Sequence, residues 1–83
     1  MNTQKLQSLG NLWEKDGRRR IYMNNLVRWY GEDNLRRYGT KRVLARLSYG
    51  KLWYDLETLA WGFQGLESSD VQMLTANIER ECA

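Results

Sequence analysis

Nine cationic residues crowd positions 18 to 46 and alternate with rings: Arg18, Arg19 and Arg20; Arg28 beside Trp29 and Tyr30; Arg36 and Arg37 before Tyr38; then Lys41, Arg42 and Arg46 on the way to Tyr49. A guanidinium group pairs with phosphate through two parallel hydrogen bonds. An exposed aromatic face stacks on an unpaired base for about 1–3 kcal/mol. Together these side chains have the chemistry of a nucleic-acid surface, single strands included. A structural account uses the same residues differently: Trp29, Tyr30 and Tyr38 as core, the arginines as a solvated exterior, and Arg28 and Arg46 stacked on neighbouring rings.

The charge is also divided by position. Residues 1–51 set twelve Lys and Arg against four acids, a formal balance of +8, whereas the chain from Leu52 onward sets Arg80 alone against six acids, a balance of −5. The net +3 therefore conceals a basic part and an acidic part, an asymmetry that favours a polyanionic partner. The acidic part reads as a solvated helix face, or as a dock for a basic partner or for the basic face of a second copy, which would give a homo-oligomer.

Residues for catalysis are scarce. The chain has no histidine, so the usual base near neutral pH and the commonest metal ligand are both missing. Its glycines form no phosphate-cradling loop, and Ser48, Ser68 and Ser69 have no visible activating base. Asp55 and Glu57 could face one way as a carboxylate pair, but a solvated turn explains them at less cost. The expectation is a binding protein that is not an enzyme and needs no cofactor and no metal. A single cysteine, Cys82, excludes a disulfide framework and suits a reducing cytoplasm. No apolar run approaches the roughly 20 residues that span a bilayer, and Met1 to Gly10 is too polar for a signal peptide, so the protein is expected to be soluble and cytoplasmic.

These side chains must be positioned by one small domain, because 83 residues bury only about 60–65% of the surface of the unfolded chain. Residues 1–10 carry no element signal and are open to disorder. Asp16-Gly17, between two strand-like runs, predicts a β-hairpin over 11–24, with Trp13, Ile21 and Met23 on one face and Arg18, Arg20 and Tyr22 on the other. Asn24-Asn25 can cap helical structure over 25–38, in which Leu26, Trp29 and Tyr30 share a face and Gly31 ends the first piece. Residues 40–50 are ambiguous: Val43, Ala45, Leu47 and Tyr49 alternate as in a strand, while Val43, Leu44 and Leu47 fit a helix. The strand is preferred, giving strands over 41–63. Lys51 to Phe63 predicts a second hairpin around a turn at Asp55–Thr58. The chain ends in a helix over 69–82, with a Ser69/Gln72 capping box and a face of Val71, Leu74, Thr75 and Ile78. Fold class is thus α+β in the order ββα–(β)–ββα, an antiparallel sheet with the C-terminal helix packed on it.

The first hairpin carries a resemblance. Trp13-Glu14-Lys15-Asp16-Gly17-Arg18-Arg19-Arg20-Ile21-Tyr22-Met23-Asn24, followed by Leu26 and Tyr30-Gly31, resembles a W-x-K-x-G-x-x-R-[IV]-Y-x-N block of small phage and plasmid proteins. It covers roughly a quarter of the chain and brings no catalytic residues. What the resemblance implies is a mobile-element context, in which small proteins often act as stoichiometric effectors, including anti-CRISPR inhibitors. Two functions follow: a nucleic-acid-binding module using Arg18, Arg19, Arg20, Arg28, Arg36, Arg37, Lys41, Arg42 and Arg46 with Tyr38 and Tyr49, or an inhibitor that binds a host defence or nucleic-acid-processing complex.

Overall fold

Asp16 and Gly17 both adopt left-handed φ, 53° and 76°, the pair of values that a two-residue hairpin turn demands. In the computed structural model, which describes Met1–Ala83, this turn joins strand β1 (Gly10–Lys15) to β2 (Arg18–Met23). Lys15 therefore pairs with Arg18, Trp13 with Arg20 and Leu12 with Ile21. The pairing corrects the expected faces. Leu12, not Trp13, lies beside Ile21 and Met23, and Trp13 joins Arg18, Arg20 and Tyr22 on the other side of the pleat.

Strands β3 (Lys51–Asp55) and β4 (Ala60–Gln64) complete a four-stranded antiparallel sheet in the order β1-β2-β3-β4. Their loop runs one residue later than expected. The Asp55 carboxylate accepts from the backbone N–H groups of Glu57 (2.8 Å) and Thr58 (3.2 Å), and Leu59 belongs to the turn at φ 57°, not to the strand. Leu59 is 66% exposed and so has little packing to lose. Leu59→Gly should therefore raise stability, by up to about 1 kcal/mol, because glycine adopts that φ without strain; a urea titration checks it.

Between the hairpins the chain is helical throughout. A 3₁₀ segment (Leu26–Tyr30) leads through Gly31 into α2 (Glu32–Tyr38), and Gly39 separates α2 from α3 (Thr40–Leu47). The strand expected within 41–50 is thus a helix. Val43 and Leu47, four residues apart, are both buried, and β2 pairs directly with β3, leaving no place for a strand between them. Asn25 does not cap the 3₁₀ segment: it is itself left-handed (φ 51°), and Asn24 accepts from the Asn11 side chain instead.

The last helix, α4 (Ser68–Glu81), begins one residue earlier than predicted, and its first turn has no side-chain cap, so the Ser69/Gln72 box does not form. Its buried stripe is Val71, Leu74, Ile78 and Cys82, with Thr75 half-buried and donating its hydroxyl to the Val71 carbonyl. Residues 3–8, given no element from sequence, form α1 (Thr3–Ser8), capped by the Asn2 side chain. Leu6 of α1 is fully buried, and the Asn2 N–H donates to the Cys82 carbonyl at 2.7 Å, tying the two ends together. The core lies between the helices and one face of the sheet, where Ile21, Met23, Leu52 and Tyr54 point inward. The result is the small α+β fold expected, with α4 on the sheet, and no helix is long and apolar enough to cross a membrane.

Candidate functional site

The acidic C-terminal part meets the basic part within one molecule at three places, through Arg46, Arg28 and Arg20. Asp70, only 5% exposed, receives the Arg46 Nε–H at 2.6 Å and the Tyr30 hydroxyl at 3.3 Å, while Arg46 reaches Glu67 at 2.8 Å. Both carboxylate oxygens of a buried acid are thereby satisfied. The hydrogen bond and charge of Asp70 hold the Arg46 proton more tightly than usual, and burial followed by the charge of Asp70 pushes the Tyr30 hydroxyl up. Arg28 lies 4.7 Å from the centre of the Trp29 ring and contacts Glu81 at 3.5 Å, joining the 3₁₀ segment to the end of α4. Trp29 and Tyr30 are core residues. Arg46 is thus committed to tertiary structure, through acids and not by stacking, while Arg28 stacks on Trp29 and pairs with Glu81 at the surface.

The other cations divide into paired and free. Arg19 faces Glu14 at 3.6 Å and Arg36 faces Asp33 at 2.6 Å, both at exposed positions where such pairs contribute little. Arg18, Arg37, Lys41 and Arg42 form no ion pair. Three of these four bracket Gly39, at the end of α2 and the start of α3. Tyr38 beside them is 47% exposed, and Tyr49, past the end of α3, is 91% exposed. Arg42 and Tyr38 also line a cleft of about 380 Å³ with Tyr30, Asn34 and Asp70.

The placement of Lys41 and Arg42 opposes helix stability. The first turn of α3 contains no acid, so two cations sit at the positive end of the helix dipole. Lys41→Glu should therefore stabilise the fold by a few tenths of a kcal/mol, up to about 1, while weakening any polyanion bound there. Thermal melts and binding titrations of the same variant would show the two effects moving in opposite directions.

On the sheet, the face turned away from the helices carries a second group. Trp13, Tyr22 and Trp53 run across three strands, with ring centres 6.3 Å and 5.4 Å apart. Arg20 sits among them, 5.4 Å from the Trp13 ring and 4.9 Å from the Trp53 ring, and its Nη1 donates to the Tyr22 hydroxyl at 3.3 Å. Across the pair of β3 and β4, Trp53 is opposite Gly62, where a Cβ would overlap the indole; the absent side chain lets the ring approach the β4 backbone. Asp55 stands 4.0 Å from Arg20, and its carboxyl is held below the usual range by the Glu57 and Thr58 N–H groups, with Arg20 and Arg18 adding to the effect.

A depressed carboxylate of this kind contributes stability above its unfolded pKa of about 3.9 and loses it as pH falls through the lower folded value. Asp55→Asn should destabilise the protein at pH 7, and the difference should shrink at a pH well below about 3.9. Urea midpoints at the two pH values test this sign.

Comparison with protein-family models, with curated proteins and with solved structures finds no match to this chain.

The basic run of residues 18–46 is divided by the fold between two layers. Arg18 and Arg20 lie on the outer sheet face, Arg19 near the hairpin tip on the opposite side of the pleat, and Arg28, Arg36, Arg37, Tyr38, Lys41, Arg42, Arg46 and Tyr49 belong to the helical segment and its end. Sequence inspection missed Trp13, Tyr22 and Trp53 as a group. The signal was present: a two-residue loop at Asp16-Gly17 pairs Lys15 with Arg18, which by counting sets Trp13 against Arg20 and beside Tyr22.

Proposed function

We propose that this chain is a non-catalytic nucleic-acid-binding protein, with Arg37, Lys41 and Arg42 holding backbone phosphates and Tyr38 and Tyr49 offering rings at the margin of that patch. The observation that carries it is the distribution of ion pairs. The acids of the C-terminal part neutralise Arg28 and Arg46 and leave a compact group of cations around Gly39 unpaired. Keeping like charges together at the positive end of α3 costs stability, and a bound polyanion offsets that cost. Arg37 supplies the planar donor fork suited to phosphate, with its guanidinium 6.0 Å from the Tyr38 ring.

Binding of this kind is dominated by counterion release. Titration of labelled DNA and RNA, single- and double-stranded, at two salt concentrations tests it. The expected result is affinity that falls with salt at a log–log slope of about −0.7 to −0.9 for each phosphate neutralised. A folded protein that ignores all four probes at low salt would reject the proposal and direct attention to a protein target instead, such as a nucleic-acid-processing complex.

A further inference from the structure

We infer that the outer face of the sheet is a stacking platform for the unpaired bases of a single-stranded segment, separate from the phosphate-holding cations of α2 and α3. The inference rests on the nucleic-acid function proposed above and adds which form of nucleic acid is preferred and where its bases lie.

Three large rings line a sheet face that no helix covers. Trp13 is 36% exposed, and Tyr22 and Trp53 are partly exposed. Rings in a protein core are enclosed on all sides by apolar groups; these instead surround a guanidinium. Arg20 is fixed among the rings by two cation–π contacts and by Asp55, which puts a positive charge in the middle of the array. Gly62 leaves room for the Trp53 indole against β4, and Arg20 lies 4.9 Å from the centre of the same ring, so Trp53 anchors the array while the exposed Trp13 and the partly exposed Tyr22 offer the surface for a base.

Charge complementarity selects the occupant. The same face carries Lys15 and Arg18 at the hairpin-turn end and Lys51 beyond Trp53 at the other end, all exposed and all free of ion pairs, while its one acid, Asp55, is engaged by Arg20. Cations at both ends of a line of rings fit a strand whose phosphates run along the sheet while its bases lie on it. A duplex keeps its base faces stacked internally and gains nothing from the rings.

The test compares a labelled single-stranded oligonucleotide of ten thymidines with a duplex of the same length, using wild type, Trp13→Leu and Tyr22→Leu, with circular dichroism confirming the fold. Each substitution should weaken single-strand binding by about 5- to 150-fold, the effect of removing one base–ring stack, and change duplex binding less than about threefold. Equal losses on both probes, or no loss on either, would overturn the platform while leaving the nucleic-acid function standing. Absence of binding to both by wild type would overturn that function itself. Should either variant unfold, quenching of wild-type tryptophan emission replaces it: quenching by the single strand and not by the duplex supports the platform, and no quenching overturns it. A doubled mass in solution that reverts on Trp13→Leu would show a second copy on this face and also overturn it.

Discussion

Replacing Arg37, Lys41 and Arg42 together by alanine is expected to remove most nucleic-acid affinity while leaving the fold intact. None of the three is in an ion pair, and all are exposed, so no buried group loses a partner. Each phosphate that is no longer neutralised should flatten the log–log salt dependence by about 0.7 to 0.9, so the triple variant should flatten it by about two to three in all. Substitution of Arg28 or Arg46 offers the contrast. Arg46→Ala strands the carboxylate of Asp70, which is 5% exposed, and should lower the urea midpoint. Its effect on binding should then disappear once the variant is assayed under conditions where it is fully folded. Equal loss of binding from both sets, with folding unaffected, would place Arg46 in the interface.

Leu74→Ala should come close to unfolding the protein. Leu74 is fully buried in the middle of the α4 stripe, and removing its side chain leaves a cavity where α4 meets the rest of the core. Substitutions of this type cost about 2–5 kcal/mol, against a total stability of about 4–12 kcal/mol for a chain of this length. The melting temperature should fall by about 10–30 °C. Leu44→Ala, at a helix position 50% exposed, should change stability by about 0.5 kcal/mol or less. Similar losses from the two would mean that α4 does not carry the core. Cys82, fully buried and with its thiol pushed up by that burial, reports the same event: a neutral disulfide reagent should label it only as the chain unfolds.

Elements governed by neighbouring residues could be read directly. The Asp16-Gly17 turn and the Val71–Leu74–Ile78 stripe specify a hairpin and a helix from local chemistry alone, and both form. Residues 40–50 could not be decided that way, since alternation and helical spacing share Val43 and Leu47. What decides them is the direct pairing of β2 with β3, Arg20 opposite Asp55 and Tyr22 opposite Trp53, which joins residues some thirty positions apart. The same distance hides the ion pairs. Nothing local in the sequence joins Arg46 to Asp70 or Arg28 to Glu81, so two arginines counted among the binding residues turn out to be paired within the fold, Arg46 with a buried acid and Arg28 at the surface. Trp13 differs from its expected place by a single step of register, and that step separates a core residue from one on an open aromatic face.

The most direct measurement is the change in backbone amide NMR shifts of labelled protein as a single-stranded oligonucleotide is added. Changes confined to β1, β2 and β3 on the sheet and to residues 37–42 at the junction of α2 and α3 are the expected result. Changes centred on Arg28, Arg46 and α4, or none at all, would contradict the nucleic-acid surface described for this protein.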